Sequence, residues 1–206
     1  MLKKIIHFSS VLCIICAISI FGVSLVYSIT FDTIEIKEKA KKEIALGIIL
    51  KGLKVDPKGV PFVHNHEKYE IFLGRDPQSD APKGWGILVG EQGYSSTIQT
   101  MVGVDERGEI IAIEIVFQQE TPGLGAECTS TGPKKLSSLW ESDQPKEVKR
   151  PWFQNQFSGR KSHELKLKQG IDVISGATIT SAAVARSVSK AVEIINIFRQ
   201  SSDKNA

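Results

Sequence analysis

The sequence predicts an α+β protein: a single N-terminal transmembrane helix, followed by one domain with a mainly antiparallel sheet and flanking helices. Three observations support this prediction. The chain starts with a long uncharged segment, its middle contains short runs typical of β-strands, and its end has the periodicity of an amphipathic helix. Strand runs that precede helices within one domain-sized segment indicate the α+β class.

The composition is that of a folded protein and excludes several other classes. The 206 residues are 41% hydrophobic and 24% charged, which fits neither a disordered nor a collagen-like chain. The formal net charge of +3 gives no support for a nucleic-acid partner. Three cysteines are too few for a self-contained four-cysteine iron–sulfur or zinc site.

The first element is a membrane segment. Residues 5–31 contain no Asp, Glu, Lys or Arg, and a helix of this length spans about 40 Å, against roughly 30 Å of bilayer hydrocarbon. Two interpretations fit, an uncleaved anchor and a signal peptide cleaved after residues 26–28. We favour the anchor, because the apolar run exceeds a typical signal-peptide core and no Ala-x-Ala site follows it. The expected boundaries are 1–31 for the anchor and 32–206 for the domain.

The charges around the anchor bear on its orientation. Lys3 and Lys4 precede it and favour an N-terminus inside, with the domain on the extracytoplasmic side. The lysines of residues 37–42 lie farther from the membrane and are mixed with glutamates, so the charge count alone leaves the orientation open. Cys13 and Cys16 share one face of this helix. They are interpreted as packing residues, the alternative being a ligand pair for a cluster shared with another subunit.

Beyond the anchor, helical and strand patterns follow one another. Residues 33–50 have apolar side chains at helical spacing, and breakers predict a loop over residues 51–61. Period-2 patterns and turn residues predict four strands, at residues 69–73, 85–89, 95–104 and 109–117. The segment 133–157 is predicted to be helical or irregular. Apolar residues at three- and four-residue spacing predict a helix over residues 178–199.

The last two predicted strands should form a hairpin. They flank the turn 105–108, which ends in glycine. Strict alternation would place Ile111, Ile113, Ile115 and Phe117 on one face, with the intervening residues on the other. We therefore expect a half-buried hairpin.

The segment 172–178 (DVISGAT) precedes the predicted C-terminal helix. A glycine turn here would deliver hydroxyl groups to the helix N-terminus, where free N–H groups and the helix dipole favour a phosphate. The alternative is that Ser or Thr simply caps the helix, and the pattern alone favours the cap.

Two glycine-bearing connections offer further candidate ligand contacts. In residues 120–126 (ETPGLGA), two glycines permit close approach of a flat ligand, whose face Leu124 could cover. Residues 90–96 (GEQGYSS) could place an aromatic ring and hydroxyls beside a ligand, and match neither the P-loop nor the dinucleotide fingerprint. Taken alone, residues 120–126 are better explained by an ordinary turn at the exit of a strand, and an ordinary β-turn explains residues 90–96 equally well.

Taken together and in order, these segments resemble the FMN-binding domain of membrane redox complexes. That family includes the G subunit of the Rnf complex and the C subunit of the sodium-pumping NADH:quinone oxidoreductase. The compact length is more similar to the Rnf subunit, and Gln118-Gln119 departs from the histidine of many members. The resemblance rests on Gly93-Tyr94, residues 102–105 with Gly108, residues 120–125, Trp152-Phe153, residues 157–159 and residues 175–178.

The resemblance implies a covalently bound cofactor. Thr178 would carry FMN through a phosphoester bond, installed from FAD by a separate flavin transferase. No catalytic residue and no metal site is expected. The other expected cofactor contacts are Ser175, Gly176, Ala177, Thr180, Asp172, Glu120, Thr121, Gly123, Leu124, Gly125 and Tyr94.

The resemblance also implies a function. The chain would be an electron-transfer subunit of a membrane-bound, ion-translocating ferredoxin:NAD oxidoreductase of the Rnf type, without independent catalysis. Its partners would be the other membrane subunits, including a second flavin subunit and iron–sulfur subunits. Three alternatives remain: a subunit of a sodium-pumping NADH:quinone oxidoreductase, a stand-alone extracytoplasmic flavoprotein, and a non-redox anchored module in which Thr178 is only an N-cap.

Overall fold

The computed structural model of the chain describes residues 2–131, 150–167 and 169–203. The chain divides into two compact units, Met1–Lys41 and Lys42–Ala206. The boundary expected after residue 31 was drawn from the end of the uncharged segment, and it remains a prediction about where the membrane ends.

The first helix, α1 (Leu2–Ile49), is 48 residues long and joins the predicted anchor to the predicted amphipathic helix without a break. Its segment Lys3–Ile49 is the one helix among the described residues that is long and apolar enough to cross a membrane. The mean hydropathy reaches 2.5 over 18 residues. By length and composition, α1 is therefore a candidate membrane span.

Six strands follow α1 and form one antiparallel sheet, which confirms the α+β class. The strands β3, β4, β5 and β6 lie side by side in that order, while β1 and β2 both pair with β3. Both β1 and β2 are short; β1 lies within the predicted loop 51–61, and β2 begins at its end. The strands are β1 (Lys54–Val55), β2 (Val60–His64), β3 (Glu67–Arg75), β4 (Pro82–Gln92), β5 (Thr97–Asp105) and β6 (Ile110–Phe117).

The predicted hairpin is present as β5 and β6, but its expected alternation is wrong at Ile111 and at Phe117. A register shift between Gln99 and Thr100, which pair with Phe117 and Ile115, puts Phe117 on the face away from Ile115. The register also shifts between Gly103 and Val104, which pair with Ala112 and Ile110 and leave Ile111 as an extra residue. Such a bulge turns the following residues to the opposite face. Ile111 therefore lies on the face away from Ile113, and both faces of the hairpin are covered rather than one.

The two sheet faces are covered by helices from opposite ends of the chain. The C-terminal helix α3 (Thr178–Asp203) packs on one face, where Val184, Val188, Ala191 and Ile195 are fully buried as its periodicity predicted. The other face contacts the end of α1, through Ala45, Leu46 and Ile49, and the next residue, Leu50. Burial of these side chains on both faces supplies the hydrophobic stabilisation of the domain.

Short helices connect β6 to α3. A 3-10 turn spans Gly125–Thr129, α2 spans Trp152–Asn155, and a second 3-10 turn spans Ser162–Glu164. Most of the segment 133–157, predicted to be helical or irregular, lies outside the described residues. The site described below is formed where the β4–β5 connection, the loop after β6 and the start of α3 meet.

Candidate functional site

The connection between β4 and β5 presents three backbone N–H groups to one carboxylate. The Gly93 N–H donates to the Ser96 carbonyl at 2.9 Å, which closes a tight turn. Within it, the N–H groups of Tyr94, Ser95 and Ser96 donate to the side chain of Glu120 at 3.2, 3.0 and 3.1 Å. Successive N–H groups of this kind form an anion-binding concavity. Here the anion is a side chain of the protein itself.

Glu120 lies in the loop after β6 and is only 6% exposed. Its Oε2 accepts a 2.6 Å hydrogen bond from the hydroxyl of Thr180, in the first turn of α3. Burial raises the pKa of the Glu120 carboxyl, but the Thr180 hydroxyl and the three N–H groups outweigh burial and hold that pKa below its usual value. The carboxylate is therefore ionised at neutral pH and ties three segments together.

Gly125 has no side chain, which leaves room for the hydrogen bond between Glu120 and Thr180. A Cβ at this position would lie 2.6 Å from the Thr180 Oγ1 and 2.7 Å from the Glu120 Oε2. At such distances a methyl group overlaps the atoms it meets, so a larger residue would displace one partner. The close approach that the sequence suggested for Gly125 is thus an approach to the protein's own polar groups.

A turn over residues 174–177 leads into α3. The Ala177 N–H donates to the Ile174 carbonyl at 2.9 Å, and Gly176 has a φ of 74°, as a type II turn requires at its third residue. Ser181 fixes this turn from within the helix. Its hydroxyl accepts a hydrogen bond from the Ile174 N–H and donates to the Ala177 carbonyl, both at 3.0 Å.

Thr178 is the first residue of α3, but its side chain is not a cap. The first intrahelical bond joins the Ser181 N–H to the Ala177 carbonyl at 3.0 Å, so Ala177 is the N-cap residue. The Thr178 hydroxyl is exposed, and neither it nor the N–H groups of residues 178–180 bonds to any described residue. One hydroxyl and three N–H donors therefore converge at the positive end of the helix dipole.

A cavity of about 580 Å³ opens at these groups, a volume typical of small-molecule sites. Its rim is apolar, since Tyr94, Leu124 and Ile179 are 69%, 43% and 53% exposed. No Lys or Arg is present in the described part of its lining, so the helix N-terminus is the source of positive potential there. The lining residues are Tyr94, Glu120, Thr121, Leu124, Gly125, Gly176, Ala177, Thr178, Ile179 and Thr180.

The structure brings the predicted cofactor contacts to this cavity, except Gly123, Ser175 and Asp172. Gly123 and Ser175 are exposed residues of the two turns that border the lining. Asp172 is held through its backbone: its N–H donates to the Gln156 Oε1 at 2.7 Å, and its carbonyl accepts from the Gln156 Nε2 at 3.3 Å. Because these three residues do not line the cavity, their contacts with a cofactor stay predictions.

Sequence reasoning missed Ile179 as a lining residue. An apolar side chain between two threonines at a helix start was the available signal, and the helical pattern assigned no role to it. No feature of the sequence predicted that the Glu120 carboxylate accepts these hydrogen bonds. Nothing in the sequence relates Glu120 to N–H groups 24 to 26 positions earlier in the chain.

The arrangement fits a flat ligand that carries a phosphate. The free N–H groups of the first turn of α3 suit a phosphate, and the exposed side chains of Tyr94, Leu124 and Ile179 suit an aromatic ring system. The unpaired hydroxyl of Thr178 lies beside the same N–H groups. A phosphate held there would be next to a potential point of covalent attachment.

The chain is similar in sequence to several known proteins. The sequence pattern of the FMN-binding domain family matches residues 93–193, which include every residue of the cavity lining. The G subunit of the proton-translocating ferredoxin:NAD(+) oxidoreductase complex of Clostridium ljungdahlii is 28% identical over 147 residues, or 66% of this chain and 69% of that protein. The G subunit of the Na(+)-translocating complex of Acetobacterium woodii is 28% identical over 138 residues, or 62% and 56%.

Two further proteins are similar to this chain. The G subunit of the ion-translocating oxidoreductase complex of Pseudomonas aeruginosa is 31% identical over 116 residues, and the chain spans about half of that protein, 46%. The crystal structure of the C subunit of Na(+)-translocating NADH-quinone reductase from Parabacteroides distasonis matches 61% of this chain and 59% of that chain, with 23% identity and a TM-score of 0.41. Residues 93–193 of this chain match the sequence pattern of the FMN-binding domain family.

Proposed function

We propose that this chain is a membrane-anchored electron-transfer subunit of an Rnf-type, ion-translocating ferredoxin:NAD oxidoreductase, with FMN bound covalently to Thr178. One observation carries the proposal most directly. The Thr178 hydroxyl is exposed and unpaired among the described residues, and it lines the cavity of an FMN-binding domain at the start of a long helix. The relatives named as G subunits of such complexes support the electron-transfer role.

The residues of the cavity have separate roles in this proposal. The N–H groups of residues 178–180 hold the phosphate, assisted by the helix dipole. Tyr94, Leu124 and Ile179 contact the ring system and exclude water from part of it. When bound, the flavin accepts and donates one or two electrons. No Lys or Arg lies in the described part of the lining, so the helix N-terminus would balance the phosphate charge.

Covalent attachment requires one substitution at phosphorus. The Thr178 oxygen forms a bond to the FMN phosphorus of FAD, the pyrophosphate bond breaks, and AMP leaves. The hydroxyl proton passes to a base of the flavin transferase or to solvent. Atoms and charge balance without an oxidant or reductant. Threonine suits this site, because its hydroxyl does not ionise in the physiological pH range. Once the ester has formed, the cofactor cannot diffuse away.

Lys3 and Lys4, which precede the uncharged segment, favour one membrane arrangement. The anchor 1–31 would cross the cytoplasmic membrane with its N-terminus inside, and the domain 32–206 would lie on the extracytoplasmic side. There, covalent attachment would retain a cofactor that the surroundings do not supply. Electrons would pass to and from neighbouring membrane subunits, including a second flavin subunit and iron–sulfur subunits.

The proposal is tested by in-gel fluorescence. The full chain is co-expressed with a bacterial flavin transferase that uses FAD, and the protein is resolved on a denaturing gel under ultraviolet light. We expect a fluorescent band for the wild type and none for Thr178→Ala. Ser175→Ala is the matched control, because it removes a neighbouring exposed hydroxyl outside the cavity lining. A dark wild-type band, or a fluorescent Thr178→Ala band, would overturn the proposal.

A further inference from the structure

Glu120 is the only charged side chain among the buried polar residues that the structure describes. It lines the cavity, yet its carboxylate is occupied by the protein. Oε1 accepts hydrogen bonds from the Ser95 and Ser96 N–H groups and, at 3.4 Å, from the Ser96 hydroxyl. Oε2 accepts from the Tyr94 N–H and the Thr180 hydroxyl. The electron-transfer role proposed above uses none of these bonds.

The five donor groups come from two segments that are far apart in sequence. Four belong to the turn between β4 and β5, and the fifth belongs to the first turn of α3, 60 residues after Glu120. The Thr180 hydroxyl bond is the shortest of the five, at 2.6 Å. Its donor is 1% exposed, so water does not compete for it. A short bond from a buried hydroxyl to a carboxylate is among the stronger hydrogen bonds in proteins.

This bond acts close to the proposed attachment residue. Thr180 lies two positions after Thr178, in the same helical turn, and Tyr94 and Leu124 stand on the other walls of the cavity. The Glu120 carboxylate therefore connects the wall that carries the attachment hydroxyl to the wall that carries the aromatic side chain. A displacement of the first helical turn would move the hydroxyl and the phosphate-binding N–H groups together.

We propose that Glu120 is a positioning residue of the flavin site, acting through the Thr180 hydroxyl. It fixes the first turn of α3 against the β4–β5 connection, so that the Thr178 hydroxyl and the free N–H groups present one geometry to the incoming phosphate. The inference rests on the proposed function and deepens it. It assigns to Glu120 an indirect role in flavin binding, in place of a direct contact by its carboxylate.

The test removes the Thr180 hydroxyl while keeping the shape of the side chain. Apo full-length chain in detergent is mixed with flavin transferase and FAD, and the initial rate of flavin incorporation is measured for each variant. We expect Thr180→Val to slow incorporation by about tenfold or more, since a buried carboxylate loses a strong donor. Thr180→Ser keeps the hydroxyl and should restore the rate to within about twofold of the wild type.

Ser187→Ala provides the matched control within the same helix. Ser187 is fully buried, and its hydroxyl donates to the Val184 carbonyl at 2.8 Å, away from the cavity. Its removal tests whether loss of any buried hydroxyl of α3 slows incorporation. We expect the Ser187→Ala rate to stay within about twofold of the wild type, because the first helical turn keeps its bond to Glu120.

A second readout separates positioning from stability. Visible circular dichroism of the attached flavin reports how uniformly the protein holds the ring, and a purely stabilising bond would leave these bands unchanged at temperatures where the variant is folded. We expect weaker bands for Thr180→Val and for Glu120→Gln, and wild-type bands for Thr180→Ser and Ser187→Ala. Thermal unfolding of each apo variant establishes that the comparison is made on folded protein.

The outcomes distinguish this inference from the proposed function. If the wild type takes up no flavin, the proposed function fails, and this inference fails with it. If the wild type is modified on Thr178 and Thr180→Val is modified at the same rate with the same circular dichroism, only the positioning role is refuted. If Thr180→Ser is as slow as Thr180→Val, the hydroxyl is not the group that matters, and the inference is again refuted.

Discussion

The Thr180 hydroxyl donates a 2.6 Å hydrogen bond to the Glu120 carboxylate across 60 positions of sequence. The bond joins the first turn of α3 to the loop after β6, at the wall of the cavity that carries Thr178. Both partners are buried. Because an unpaired buried charge is costly, disturbing either partner should affect stability and the cavity together.

Replacing Glu120 by Gln should make stability less dependent on pH. The folded-state pKa of Glu120 lies below the usual value of 4.5, so ionisation favours the folded state. This contribution to stability is present above pH 4.5 and is lost as the pH falls through the folded-state pKa of Glu120. We expect Glu120→Gln to lower the free energy of unfolding by about 1–3 kcal/mol at neutral pH and by less in acid. Urea unfolding monitored by tryptophan fluorescence measures the free energy of unfolding at neutral and at acid pH.

Glu127→Gln is the control for this comparison. Glu127 lies in the following 3-10 turn, and its carboxylate forms no hydrogen bond or ion pair with the described residues. Its substitution should leave both the stability and its pH dependence close to those of the wild type. An equal loss of stability for Glu120→Gln at neutral and acid pH would contradict the assigned ionisation.

Gly125→Ala should disrupt the Glu120–Thr180 pair. The added Cβ would lie 2.6 Å from the Thr180 Oγ1, an overlap that costs roughly 1–3 kcal/mol on relaxation. Gly90→Ala is the control, because its Cβ would meet only the Thr97 methyl group, at 3.2 Å, in an exposed position. We expect a lower melting temperature and slower flavin incorporation for Gly125→Ala alone. Wild-type behaviour of Gly125→Ala would count against the described packing.

Gly176→Ala should disturb the cavity more than Gly123→Ala does. Both glycines have a left-handed φ, 74° and 76°, so both substitutions carry a similar backbone strain of about 1 kcal/mol. Only the Cβ at Gly176 would meet a neighbour, the Leu124 Cδ2 at 2.9 Å. We therefore expect similar melting temperatures but a severalfold slower flavin incorporation for Gly176→Ala. Equal incorporation rates would show that the position of Leu124 does not matter.

Cys128 should be inert in the folded protein. Its side chain is fully buried, and burial together with the charge of Glu120 raises the pKa of the thiol to about 12. The reactive thiolate is therefore nearly absent at neutral pH. We expect iodoacetamide to modify Cys128 only after denaturation, as measured by peptide mass spectrometry. Rapid modification of native protein would contradict both its burial and its raised pKa.

The class of the fold could be predicted from the sequence, because its signals are local. The uncharged residues 5–31 all lie in α1, and the periodic residues predicted to be helical form α3. The face of Ile111 could not be predicted. A bulge depends on pairing with Gly103 and Val104 across the hairpin, and alternation within one strand contains no information about that partner.

The candidate site was predictable as a set of segments but not as a set of interactions. The glycine turns and the hydroxyl-rich helix start marked three segments that do meet at one cavity. The roles within the cavity depend on contacts between distant residues. Glu120 was expected to contact the cofactor, which stays a prediction, and the hydrogen bonds of its carboxylate to the protein were not foreseen. Ile179 was overlooked because an apolar residue on a helix is ordinarily assigned to packing.

Fragment-ion mass spectrometry of the tryptic peptide 169–186 tests the central claim most directly. The full chain is co-expressed with a flavin transferase, and the peptide contains four hydroxyl residues, Ser175, Thr178, Thr180 and Ser181. Thr180 and Ser181 are buried and their hydroxyls are hydrogen-bonded, whereas the Thr178 hydroxyl is exposed and unpaired among the described residues. The proposed attachment predicts one FMN phosphoryl group, located on Thr178. An adduct on any other residue, or an unmodified peptide, would contradict it.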